Sequence, residues 1–302
     1  MRIVLIAPLK LDSSPRLDYS YWNFYLPLVE LGHAVEFFDI TSKGNKELAR
    51  VVDSFKPDLL FCIMTGAPKT FTPDEPWDVI GEETRKGNVK TFNWYCDDSY
   101  RFESFSKSTC SNFHWCSTPE KSFIKKYQDI GYTNVVYSTW HANSKLYSSF
   151  KDTSKIRDHI FIGGLHANRV QLLTAIQNRG HAIDVCNQKL SFEDMIYHYS
   201  SSKVCLNFTK DASNAQTQMK ARIFEILATG SLLLTEHTSD LVNCFDKGTI
   251  LTFINEQEAA DHLTELSKDS QRAKELARKG YSEFLRKHDS KIRLSKLLKD
   301  IA

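Results

Sequence analysis

Three clusters in this 302-residue chain combine residue types at spacings that suit chemistry. The densest is Lys220-Ala221-Arg222-Ile223-Phe224-Glu225, which sets two cations and a carboxylate within two turns of one helix that runs on to Gly230. Cations at that density suit a diphosphate. A carboxylate accepts two hydroxyl hydrogen bonds, which suits the paired hydroxyls of a ribose or a sugar. The plainer alternative is a surface ion pair between Arg222 and Glu225 at i, i+3 spacing, worth roughly 0.3 kcal/mol. The second cluster, Gly163-Gly164-Leu165-His166-Ala167-Asn168-Arg169, joins an apolar strand to a helix. Glycines there let backbone approach a ligand, and the helix amino terminus offers N–H groups and a positive dipole end to a phosphate. Arg169 in the first turn adds a bidentate cation. The spacing is not GxGxxG, and a tight turn beside a solvated arginine is the plainer alternative. The third cluster, Trp94-Tyr95-Cys96-Asp97-Asp98, ends a strand. Asp98 there is a candidate general base for an acceptor hydroxyl, and a helix or turn cap by the alternative account.

Such residues need a scaffold that gathers strand ends, and the sequence writes one out twice. A strand over Arg2–Ala7 leads through a polar loop at 12–14 to a helix with Trp22, Tyr25, Leu26 and Val29 on its apolar side. Gly32 stops that helix and a strand follows over 34–38. The same grammar returns with a strand at 159–162, a turn at Gly163-Gly164, a helix carrying Val170, Leu173 and Ile176, a stop at Gly180 and a strand at 182–185. Further strands are expected at 57–64, 89–95, 113–116, 134–139, 203–208, 231–235 and 250–253, with helices at 119–131 and 219–229 and a helical tail from Glu256. Strands alternating with helices imply parallel sheets covered on both faces. The expected fold class is therefore α/β, two Rossmann-like doubly wound domains facing a cleft, with a helical carboxyl-terminal tail. Ligands in such sheets bind beyond the carboxyl ends of the strands. The expected domains are 1–150 and 151–285, with a last helix over 286–302 and a polar break near 141–158 that includes residues 143–149.

Composition narrows the class further. A hydrophobic fraction of 41% with 25% charged residues is ordinary for a globular chain. A net charge of +2 gives no support to nucleic acid as partner. The apolar run at residues 3–8 is shorter than a signal-peptide core, and no run reaches 18 apolar residues, so a cytoplasmic protein without a transmembrane segment is expected. Seven scattered cysteines read as buried free thiols in a reducing compartment. Cys110, His114 and Cys116 offer metal-ligating atoms but no fourth ligand is in view. His33 and His181 follow helix stops and read as structural, whereas His141 and His166 lie near the loops expected to meet ligand.

Arg222-Ile223-Phe224-Glu225, then Gly230, Leu233-Leu234-Thr235, Leu241, Phe245 and Gly248, and the tail residues Arg272, Ala277, Gly280 and Arg293 form an ordered set. That set resembles the carboxyl-terminal signature of the CgeB-like (spore-protein-type) glycosyltransferases. Phe161-Ile162-Gly163 with Arg169, and Ser202-Lys203-Val204-Cys205-Leu206-Asn207, also resemble that family. In the first half the likeness is looser and rests on Trp94, Asp97-Asp98 and residues 127–131. The resemblance implies a GT-B fold and a nucleoside-diphosphate sugar donor, UDP-sugar favoured, held mainly by the carboxyl-terminal domain beside Gly163 and Gly164. It implies no obligatory metal and no separate cofactor. Under it, Glu225 meets the donor ribose, and Arg169 with Lys220 or Arg222 stabilises the departing diphosphate. Related retaining enzymes carry a first glutamate where this chain has Thr217, so stereochemistry stays open. The implied acceptor is a surface glycan, a lipid-linked sugar or a protein side chain. In GT-B enzymes the last helix crosses back onto the amino-terminal domain, and the basic tail also allows a weak membrane-surface contact. Two alternatives remain at this point: a nucleotide-sugar epimerase of GT-B fold, and a catalytically inactive GT-B module that binds a glycan or protein.

Overall fold

The computed structural model describes residues 1–10, 17–66, 75–150, 152–210 and 216–302; the polar loop expected at 12–14 lies outside the described residues. The chain divides into two units, Met1–Thr139 with Ser290–Ala302, and Trp140–Asp289.

The first unit opens with β1 (Arg2–Ala7), whose residues from Ile3 to Ala7 are all fully buried. An uninterrupted apolar run is what a strand covered on both faces requires. A π-helical turn (Tyr21–Tyr25) runs into α1 (Leu26–Glu30). Then come β2 (Ala34–Asp39), α2 (Asn45–Phe55), β3 (Leu59–Cys62), α3 (Trp77–Lys86) and β4 (Lys90–Trp94). Short helices α4 (Asp98–Arg101) and α5 (Lys107–Thr109) lead to β5 (Trp115–Thr118), α6 (Phe123–Asp129) and β6 (Val135–Tyr137). The strands pair in parallel in the order β2-β1-β3-β4-β5-β6. β1 is flanked by β2 and β3, with Ile3 opposite Val35 on one side and Leu59 on the other. The first helix buries a different face from the one its spacing suggests: Phe24 and Leu28 are fully buried, and Val29 is 44% exposed. The wide π turn shifts the register of the helix against the sheet. It sets the Phe24 ring edge-on to Phe61 and Trp94, with centroids 5.7 and 5.0 Å away.

The second unit holds α7 (Ser144–Tyr147), β7 (Arg157–Ile162), α8 (Ala167–Gln177), β8 (Asp184–Cys186), α9 (Phe192–Ser200) and β9 (Ser202–Asn207). It continues with α10 (Ala221–Ala228), β10 (Leu232–Glu236), α11 (Leu241–Cys244), β11 (Leu251–Phe253), α12 (Glu256–Lys268) and α13 (Ser270–Lys287). Within the polar stretch 143–149, Ser144–Tyr147 folds as α7 and Tyr147 is buried. These strands are also all parallel, in the order β11-β10-β9-β7-β8. Phe161, Leu206, Phe208, Leu234 and Phe253 fill one side of the sheet against Leu173, Ile176 and Leu263. The last helix, α14 (Ser290–Asp300), packs in the first unit against α1. His33 and His181 hold local structure: His33 Nδ1 lies 3.4 Å from the Met1 amino group, and His181 Nε2 lies 3.2 Å from the Thr264 hydroxyl.

Among the described residues no helix is long and apolar enough to cross a membrane.

Candidate functional site

The order of the second sheet fixes where its chemistry gathers. From β7 the chain goes to β8 on one side and returns to β9 on the other, so the strand order reverses between β7 and β9. At such a reversal the loops leaving the two strands part, and a crevice opens beyond their carboxyl ends. The residues there are Gly163 and Gly164 after β7, Asn207 at the end of β9, and the first turns of α8 and α10.

Arg169 is 6% exposed, on the first turn of α8, and its Nη1 donates to the Gly164 carbonyl at 2.8 Å. Arg222, on the first turn of α10, donates from Nη1 to Asn207 Oδ1 at 3.1 Å. Asn207 is itself fully buried and turns its amide nitrogen to the Thr235 hydroxyl. Both guanidinium carbons stand near the fully buried Phe161 ring, at 5.9 Å for Arg169 and 5.3 Å for Arg222. Burial, and next the Arg222 charge, pull the Arg169 guanidinium down to about 10, with Glu236 acting against them. Among the described residues neither arginine makes an ion pair. Two cations gathered around one aromatic ring with no paired carboxylate are electrostatically costly, and an anion resolves that cost.

Gly163 makes this arrangement possible. Its φ is +151°, outside the range that L side chains favour, and a β-carbon there would sit 3.0 Å from Arg222 Cζ and still closer to Nη2. Gly164 carries no such constraint, because a β-carbon there would meet only the His166 ring at 3.8 Å. Partial burial, then Arg169 and Lys220, hold the His166 imidazole below its ordinary value. Lys220 occupies the amino-terminal cap of α10, so the cations named from sequence meet at one place.

Glu225 lies one turn further along α10, is 9% exposed, and accepts a hydrogen bond from the Tyr147 hydroxyl at 3.0 Å. Tyr199, buried beside both Arg222 and Glu225, has its hydroxyl pushed up, first by burial. The i, i+3 ion pair that the spacing of Arg222 and Glu225 allowed does not form, since each side chain has another partner.

Sequence reasoning placed Asn207 only in a stretch that resembles the family, with no role, and missed Glu236. Glu236 ends β10, is buried, and its Oε2 accepts from the Thr209 and Lys210 backbone N–H groups at 2.8 and 3.2 Å. It ties the loop leaving β9 to the end of β10. The only signal for either is a polar residue closing an apolar strand. Thr217 is exposed and donates to the Thr238 hydroxyl at 3.2 Å.

In the first unit Asp98 opens α4 but is only 1% exposed. Its oxygens accept from Ser106 at 2.6 Å and Tyr127 at 3.0 Å. Burial raises its carboxyl above the ordinary range, against the lowering by Ser106, Thr118 and Tyr127. The more open carboxylate is Asp97, which accepts from the Tyr100 hydroxyl at 2.9 Å. His114 Nδ1 accepts from the Thr91 N–H, and Cys110 and Cys116 are buried free thiols. His141 is fully buried in the second unit.

Residues 165–299 match the model of a family described as glycosyl transferase-like. No curated protein matches the chain. Among solved structures, a sucrose-phosphate synthase from Thermosynechococcus elongatus superposes with a TM-score of 0.65 at 11% identity, covering 100% of this chain and 99% of that one. AviGT4, a glycosyltransferase involved in avilamycin A biosynthesis, gives 0.63 at 11% identity over 100% and 97%. Anabaena Alr3699/HepE in complex with UDP gives 0.60 at 10% identity over 99% and 100%. The two parallel Rossmann-like sheets and carboxyl-terminal helices of this chain are those of the GT-B fold.

Proposed function

We propose that this protein is a glycosyltransferase of the CgeB-like kind that moves a sugar from a nucleoside-diphosphate sugar to an acceptor hydroxyl. The observation that carries the reading is the pair Arg169 and Arg222, held over Phe161 at the strand reversal without a paired carboxylate. In the transferase reading, the bond from the anomeric carbon to the diphosphate oxygen breaks as the bond to the acceptor oxygen forms. The electron pair departs on the diphosphate, and two fixed guanidinium groups with Lys220 neutralise it where it develops. That charge is what a divalent ion would otherwise supply, so transfer is expected to persist in EDTA. Glu225, kept in place by Tyr147, takes the donor ribose hydroxyls. UDP is the favoured nucleotide, in keeping with the UDP bound by the Anabaena neighbour.

Asp98 fits a structural role better than that of general base. It is 1% exposed and both of its oxygens already accept from buried hydroxyls, those of Ser106 and Tyr127, so an acceptor hydroxyl has no open route to it. We therefore assign it to holding the start of α4 against α6, and leave the acceptor's proton to another group.

The test is calorimetric titration of UDP, GDP, dTDP, CDP and ADP in EDTA, repeated on Glu225→Ala and Arg169→Ala. Micromolar binding of one nucleotide, lost in both variants, is expected. No binding by any of the five overturns the donor site.

A further inference from the structure

Asn168 lies beside Arg169 on the first turn of α8 and is 5% exposed. Neither its amide nitrogen nor its amide oxygen has a protein partner, and the adjoining Arg169 Nε has none either. Buried amides are almost always paired, because desolvating an unpaired one is costly. A stability-driven sequence would place a leucine there. The residue is therefore best explained by what it does when a ligand is bound, and the chemistry of the amide narrows the ligand group. A phosphate oxygen only accepts, so it would serve the amide nitrogen and repel the amide oxygen. The arginines already supply donors to such a group. A sugar hydroxyl both donates and accepts, and two neighbouring hydroxyls match both ends of one amide.

Resting on the donor site proposed above, we infer that Asn168 reads hydroxyl groups of the transferred sugar and so contributes to the choice of donor. It grips the sugar while Arg169 and Arg222 grip the diphosphate. Its contribution should therefore be absent from the nucleotide alone.

The experiment measures dissociation constants for UDP, UDP-glucose, UDP-galactose and UDP-N-acetylglucosamine on the full chain and on Asn168→Leu, which keeps the number of side-chain heavy atoms and removes the amide. Asn168→Ser serves as a second variant should the leucine fail to fold. UDP affinity is expected to stay within about twofold, and the ratio of UDP to UDP-sugar affinity to shift by at least tenfold for one of the three sugars. The melting temperature of Asn168→Leu without ligand should equal or exceed that of the parent chain, since an unpaired polar group has been removed. A ratio unchanged for all three sugars overturns the inference, whether UDP affinity holds or falls. A parent chain that binds none of the four ligands, nor GDP, dTDP, CDP or ADP, overturns the donor site itself, whereas a parent that binds UDP beside an unchanged ratio removes only the role of Asn168.

Discussion

Replacing Gly163 by alanine perturbs the candidate site at one defined point. Alanine at φ +151° adopts a backbone region that L residues avoid, at a cost of about 1–3 kcal/mol. Its β-carbon also occupies the space of the Arg222 guanidinium, so that group must swing away. The movement breaks the bond from Nη1 to Asn207, a charge-assisted contact worth about 1.5–3 kcal/mol when buried and less here, because Arg222 is half-exposed and partly resolvates. The combined destabilisation is about 2–4 kcal/mol, which lowers the melting transition of a unit this size by about 5–15 °C. UDP affinity should fall by about tenfold to a hundredfold, because one of the two fixed cations has left its place. Gly164→Ala is the matched control. It has ordinary backbone angles and only a 3.8 Å contact to His166, so stability should stay within about 0.5 kcal/mol and affinity within about twofold. Scanning calorimetry and titration with UDP read both quantities. If the two variants behave alike, Gly163 does not hold Arg222 in place and the account of the site is wrong.

Three further outcomes test other parts of the structure. Asp98→Asn should fold and keep any donor hydrolysis, because a neutral amide still meets Ser106 and Tyr127; Asp98→Ala should lose about 2–4 kcal/mol from two stranded hydroxyls. A stable but inactive Asp98→Asn would return that residue to catalysis. Tyr147→Phe removes the hydroxyl from Glu225 Oε1, and should cost about 1 kcal/mol in calorimetry with a threefold to tenfold loss of UDP affinity. Unchanged UDP affinity would detach Glu225 from the nucleotide. Burial is the first cause lowering the pKa of His33, His159 and His198 in the fold, so as pH drops below about 6.5 the unfolded chain takes up protons that the folded chain resists. Stability should thus be full above pH 7 and decline as pH falls toward 5.5, by at most about 1.4 kcal/mol per pH unit for each histidine. A melting temperature that is flat or rises over that window would contradict the burial of these rings.

What the sequence exposes and what it conceals follow from the range of the forces involved. The strands are legible because an apolar run such as 3–7 or 204–206 is set by burial on both faces, a property of each segment by itself. The turns at Gly32 and Gly180 are legible for the same reason, since positive φ there is a local demand met by glycine. The π turn at Tyr21–Tyr25 is not, because helical spacing assumes a constant pitch and the pitch is set by packing against Phe61 and Trp94. Asp97 and Asp98 are chemically identical neighbours, and only tertiary structure decides that Asp98 turns inward to Tyr127. The candidate site shows both sides of this division. Arg169, Arg222 and Glu225 stand out as charges next to helix starts, so their types and spacing can be read directly. Asn168, Asn207 and Glu236 look like ordinary polar residues until the sheet order β11-β10-β9-β7-β8 is known. That order places the ends of β7 and β9 side by side, although 45 residues separate Ile162 from Asn207 along the chain. An apolar strand end supplies no reason for a buried amide or carboxylate. Where one occurs next to a strand reversal, its partner must come from another strand, as Glu236 finds the loop after β9, or from a ligand, as argued for Asn168. Unpaired polarity at a switch point is thus a more specific sign of a site than charge density alone, because charge is tolerated on any surface and an unpaired buried amide is not.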